Sequence, residues 1–75
     1  MNAREMFSQL GLNYRTELFK NDKLIEIKFS NSDGNWVTIS NKKIEYVENH
    51  KDSKLPLEIL KAINKQIEEL GWNNE

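Results

Sequence analysis

The residues of this 75-residue chain whose types and spacing suggest chemistry lie between Glu48 and Asp52. His50, the single histidine, has a carboxylate two positions to either side, Glu48 and Asp52. Residues two apart on an extended strand share a face. A strand running on to Asp52 would therefore gather an imidazole and two carboxylates, a set able to hold a divalent cation or to position a general base. No second His completes a common zinc set, and with no Cys no thiolate serves as nucleophile or ligand. The competing reading, a solvated polar linker ahead of a helix, is favoured because connecting segments are polar by default. The glycine patterns of phosphate-binding loops and the G-x-S-x-G nucleophile turn do not occur. Ser8, Ser30, Ser32, Ser40 and Ser53 have no fixed partner base. The chain thus reads as a non-enzyme, with no cofactor and no metal expected.

Composition sets what must position any site. With 37% hydrophobic and 31% charged residues, one Pro and three Gly, the chain fits one small domain over residues 1–75, too short for two independent cores. The lack of Cys excludes a disulfide scaffold. No apolar run is long enough for a membrane span or a secretory core, which makes the cytoplasm the expected compartment and a membrane partner unexpected. Eleven basic residues balance twelve acidic ones, for a net charge of -1. The two signs alternate without a block of like charges, so the electrostatic footprint of a duplex-DNA binder is missing.

Periodicity predicts an α+β domain of order αββββα. Its strands form an antiparallel four-stranded meander with both helices on one face. The first helix, over 3–10, opens on an Asn2/Glu5 capping box and ends at Gly11 in the left-handed region, with Leu12 folded back on Phe7. Strands are expected over 14–20, 23–30, 35–40 and 43–48. A two-residue Asn41-Lys42 turn sets Ile39 opposite Ile44 and Val37 opposite Tyr46. A three-residue Ser32-Asp33-Gly34 loop sets Phe29 opposite Val37 and Ile27 opposite Ile39. In the first hairpin, a two-residue Asn21-Asp22 turn would oppose Glu17 with Glu26 and Arg15 with Lys28; a four-residue loop, opposing Glu17 with Lys28, is preferred for its charges. The second helix, over 56–70, begins with Pro56 as its first helical residue and carries Ile59, Leu60, Ile63, Ile67 and Leu70 along one stripe. Trp72 should close its last turn against Ile67, leaving Asn73, Asn74 and Glu75 frayed.

In this reading the helices cover a face made by Tyr14, Leu18, Ile25, Ile27, Phe29, Val37, Ile39, Ile44 and Tyr46. The opposite face carries Arg15, Glu17, Phe19, Leu24, Glu26, Lys28, Trp36, Thr38, Lys43, Glu45 and Val47 and is left open. Trp36 opposite Val47, with Phe19 and Leu24, gives apolar anchors rimmed by Lys28, Lys43, Glu26 and Glu45, the composition of a protein contact surface. The expected function is a protein-binding module, its partner another protein or a second copy. An edge strand, Tyr14 to Lys20 or Lys43 to Glu48, could instead pair across a dimer axis. A second reading has Trp36 and Phe19 stack the bases of a single-stranded nucleic acid while Arg15, Lys28, Lys42 and Lys43 meet its phosphates. It ranks lower because Glu17, Glu26 and Glu45 interrupt that surface.

The opening Ala3-Arg4-Glu5-Met6-Phe7 running into Leu10-Gly11, and the closing Ala62-Ile63-Asn64-Lys65-Gln66-Ile67-Glu68-Glu69-Leu70-Gly71-Trp72, resemble the ends of small, mostly uncharacterised proteins encoded by phages and prophages of Gram-positive bacteria. The resemblance implies a mobile-element context and an α+β fold. It carries no functional residues onto this chain.

Overall fold

A computed structural model describes residues 1–72, the Asp52 side chain excepted; the expected fraying of Asn73, Asn74 and Glu75 lies outside the described residues. The elements run α1 (Ala3–Gln9), β1 (Asn13–Lys20), β2 (Lys23–Ser30), β3 (Trp36–Ser40), β4 (Ile44–Glu48), β5 (Lys51–Asp52) and α2 (Leu57–Leu70). The α+β class and the antiparallel meander are as the sequence predicts. A two-residue fifth strand extends the sheet, giving the order β1-β2-β3-β4-β5.

Both helices pack on one sheet face. Phe7 and Leu12 from the α1 end and Ile59, Ala62 and Ile63 from α2 bury against Ile27, Phe29, Val37 and Ile39 in one cluster. Phe7 stacks on Phe29 with ring centroids 4.0 Å apart, which ties the helix layer to the middle of the sheet. A seven-residue helix is marginal alone, and α1 is secured at both ends. The Asn2 side chain accepts from the Glu5 N–H at 2.9 Å, and the Glu5 carboxylate accepts from the Asn2 N–H at 3.0 Å. At the other end the Leu12 N–H reaches the Phe7 carbonyl at 2.9 Å and the Gly11 N–H reaches the Ser8 carbonyl at 3.0 Å. In α2, Pro56 is the capping residue, in extended conformation, and not the first helical residue. Left-handed Gly71 ends the helix, and Trp72 packs half-buried against the core.

The central registers follow from burying one face. Phe29 stands opposite Val37 and Ile27 opposite Ile39, with Gly34 left-handed at φ 80° in the loop. Ile39 stands opposite Ile44 and Val37 opposite Tyr46.

The first hairpin differs from expectation. It closes with the two-residue turn: Lys20 pairs Lys23, and Asn21 and Asp22 both adopt positive φ, at 53° and 64°. These angles suit a type I′ turn, for which Asn and Asp are favoured. The like-charge oppositions that argued against this turn are removed by two bulges. Arg15 is an extra residue on β1, between the Tyr14–Phe29 and Thr16–Lys28 pairs, and Ile25 is an extra residue on β2, between the Leu18–Glu26 and Phe19–Leu24 pairs. Glu17 consequently faces Ile27, not Glu26 or Lys28. The carbonyl of bulged Ile25 accepts from the Asn41 N–H at 3.3 Å.

Candidate functional site

Each bulge moves side chains between faces, so the surface expected from the sequence is reassembled. Leu24 lies on the helix side, packed against the core cluster. Phe19, its cross-strand partner, shares that side but stays 55% exposed. Leu24 leaves the expected open-face patch because the extra residue Ile25 inverts the parity of β2 between it and the turn, and Phe19 leaves it because the extra residue Arg15 inverts the parity of β1 beyond it. Glu17 is also on the helix side, where its carboxylate accepts the Tyr14 hydroxyl proton and lies 3.7 Å from an Arg4 guanidinium nitrogen. Leu18, expected in the core, instead pairs with Glu26 on the uncovered face and is 52% exposed. Ile25 is half-buried and lies outside the core cluster, and Ile44, though opposite buried Ile39, is 45% exposed. Lys43 precedes β4 and belongs to the turn.

The rest of the expected patch keeps its face but not its freedom. Val47 stands between Trp36 on β3 and Asp52 on β5 and is only 4% exposed, which removes it as an anchor. Trp36 is half-buried and braced on several sides. The Lys28 ammonium sits 5.0 Å from its ring centroid, the indole N–H donates to Glu45 at 3.1 Å, and the His50 ring meets it edge-on with centroids 6.1 Å apart. A cation over an indole face is an attractive arrangement. Lys28, Glu45 and Trp36 therefore form a set closed on itself.

His50 takes part because the chain turns instead of running straight on. Asn49 and His50 have φ of 53° and 63°, Glu48 pairs Lys51, and Val47 pairs Asp52. The tip of this hairpin docks on the β2–β3 loop. The His50 N–H donates to the Gly34 carbonyl at 2.9 Å and the Asn49 N–H to the Asn35 side chain at 2.8 Å. A Cβ on Gly34 would stand 2.6 Å from His50 Cδ2, so the imidazole occupies the space a larger residue would need. The turn also gives Glu48 and His50 different partners. The Glu48 carboxylate accepts from the Tyr46 hydroxyl at 3.1 Å and the Ser53 hydroxyl at 3.4 Å, while His50 faces Trp36 across the sheet. The Asp52 side chain lies outside the described residues. Among the described residues no three His, Asp or Glu side chains come together as a metal site.

A cleft of about 420 Å³ opens between the start of α1, the β1–β2 hairpin and the end of α2, and is lined by Arg4, Tyr14, Glu17, Leu24, Gln66 and Glu69 among others. Several of its polar groups are used within the fold. Arg4 lies 3.7 Å over the Tyr14 ring, and the Glu69 carboxylate accepts the buried Ala3 N–H at 2.9 Å. Burial, and then the hydrogen bond and negative charge of Glu17, push the Tyr14 hydroxyl pKa upward; Tyr46 is raised in the same way by burial and Glu48. Glu17 and Glu48 thus each anchor a phenol.

What remains exposed and apolar is concentrated elsewhere. Leu18 and Phe19 stand side by side on β1, each more than half exposed. β1 is the long edge of the sheet at eight residues, whereas the opposite edge, β5, has two. An edge strand offers unpaired backbone N–H and C=O groups beside its side chains. Met1 before α1, Leu10 at its C-terminal cap, and Leu55 and Leu57 around the start of α2 are also exposed, and none of them lies on a strand. By alternation from Tyr14, Leu18 belongs with the core residues. A strand over 14–20 at the end of the meander is legible in the sequence, but the bulge at Arg15 that turns Leu18 outward carries no glycine to mark it.

No helix among the described residues is long and apolar enough to cross a membrane. Compared with known proteins, the chain matches no family model, no curated protein and no solved structure.

Proposed function

We propose that this chain is a non-enzymatic protein-binding module whose contact surface is the free edge of β1 together with the adjoining uncovered sheet face. The observation that carries this reading is the exposure of Leu18 on the uncovered face and Phe19 on the helix side, 52% and 55%, at the edge of an eight-residue strand that has no sheet neighbour on its outer side among the described residues. Addition of a strand at such an edge supplies main-chain hydrogen bonds for affinity, and side chains alternating between faces supply selectivity. Thr16, Leu18, Glu26, Lys28 and Thr38 continue the surface across the open face, and the braced Trp36 stiffens it. The former anchors Leu24 and Val47 take no part. A role as an accessory protein of phage or prophage origin suits a small binding module of this kind.

The single-stranded nucleic-acid reading is weaker on this surface. The Lys28 ammonium lies over the Trp36 ring and Glu45 holds its N–H, so the indole is engaged where a base would stack and its neighbours bring both charges.

The test uses the tagged chain as bait, against a host lysate in one arm and an untagged copy in the other. Wild type should retain a polypeptide in at least one arm, and Leu18→Lys should lose it by tenfold or more, about 1.4 kcal/mol. Lys61→Glu, on the exposed side of α2, should retain it. Retention of nothing in either arm, or equal loss with Lys61→Glu, would overturn the reading.

A further inference from the structure

We propose that the partner of β1 is β1 of a second copy, joined antiparallel about a two-fold axis that passes through Leu18 normal to the sheet. This deepens the protein-binding reading and rests on it. Antiparallel pairing about such an axis keeps the two helix layers on the same side and makes opposed residues share a face, so the axis must fall on a residue and not between two. Beyond the bulge at Arg15, β1 itself carries no extra residue from Thr16 to Lys20, the register shift between Leu18 and Phe19 coming from the extra Ile25 on β2, which leaves Glu17, Leu18 and Phe19 as centres. A centre on Glu17 sets two carboxylates face to face, which is destabilising. A centre on Phe19 engages only Leu18 to Lys20 of that stretch. A centre on Leu18 uses all of it.

In that register each Leu18 meets its copy on the uncovered face, Glu17 lies opposite Phe19 of the second copy, and Thr16 lies opposite Lys20 of the second copy. No like charges oppose, and the side chain left exposed at the middle of the edge is covered by itself. This self-complementarity of Thr16-Glu17-Leu18-Phe19-Lys20 singles out a second copy over an unrelated strand. The short opposite edge makes the assembly a closed dimer: β5 offers two residues, too few to propagate a fibre.

The chain has no cysteine of its own, so single cysteines read the register directly. Opposed residues of an antiparallel pair have Cα atoms about 4.5–5.5 Å apart, within disulfide reach. Two copies of residue 17, offset along the strands, would be about 8 Å apart and out of reach. Under mild oxidation Leu18→Cys should form a disulfide-linked dimer at least tenfold faster than Glu17→Cys or Phe19→Cys alone, while a mixture of the last two cross-links to each other. Because Leu18 is half exposed, the substitution should leave the circular dichroism spectrum unchanged. Light scattering should show wild type approaching dimer mass as concentration rises and Leu18→Lys remaining monomeric. Wild type monomeric to millimolar concentration, or Glu17→Cys cross-linking as fast as Leu18→Cys, would overturn the proposal. A monomeric chain that still captures another polypeptide through Leu18 would overturn self-pairing and leave the protein-binding reading standing.

Discussion

Tyr14 and Tyr46 show how single residues join the strands to their surroundings. Each ring packs at the border of the core, and each hydroxyl donates to a carboxylate on its own strand, Glu17 and Glu48 respectively. Burial first, and the accepting carboxylate second, hold both phenols protonated beyond the ordinary value of 10.0. The unfolded chain releases these protons near that value, while the folded chain retains them. Folding stability from this source is therefore complete below the unfolded pKa and is lost as pH rises through the folded pKa. Chemical denaturation at about pH 9 and about pH 11 should show a fall in stability over that interval. Tyr14→Phe or Tyr46→Phe should each make the fall shallower, since the group that titrates differently is gone. An unchanged slope in both variants would disprove the linkage.

At the scale of elements, the docking of the β4–β5 hairpin on the β2–β3 loop holds the uncovered face together. Gly34 is required twice over: its φ of +80° is left-handed, and the His50 ring fills the space beside it. Gly11 has nearly the same φ but nothing within 4 Å of its would-be Cβ. Gly11→Ala should therefore cost about 1–2 kcal/mol from backbone conformation alone. Gly34→Ala should cost more, and should move the His50 ring away from Trp36, read by denaturation and by the His50 and Trp36 ring resonances. The same elements explain what was legible in the sequence. The registers of β2 with β3 and of β3 with β4 could be read because Ile27, Phe29, Val37 and Ile39 must all face the helices, and a one-residue slip would turn them outward. The first hairpin could not. Its bulges fall on Arg15 and Ile25, residue types that carry no bulge signal, and opposing charges were avoided by inserting residues instead of lengthening the loop. That inversion moved Leu24 out of the candidate surface and Leu18 into it. Trp36 opposite Val47 was legible, but the burial of Val47 depends on β5, a polar strand of two residues closed by an Asn-His turn without glycine.

For the molecule as a whole, the sheet has one edge long enough to pair and a net charge of -1, so two copies approach with little mutual repulsion at physiological ionic strength. A domain of this size draws only about 3–5 kcal/mol from a single core, and association of folded chains adds to that by mass action. Above its dissociation constant a homodimer gains about 1.4 kcal/mol per tenfold rise in concentration, shared between two chains. For a domain of 60–100 residues, a change of that share shifts the unfolding midpoint by about 3–6 °C. Thermal unfolding of wild type across a hundredfold concentration range should accordingly move upward by roughly 6–12 °C. Leu18→Lys should show a midpoint independent of concentration. Because the proposed contacts are backbone hydrogen bonds and Leu18 meeting Leu18, with no opposed ion pair, the upward shift should persist in high salt. A shift abolished by salt would assign the association to surface charge and away from the β1 edge.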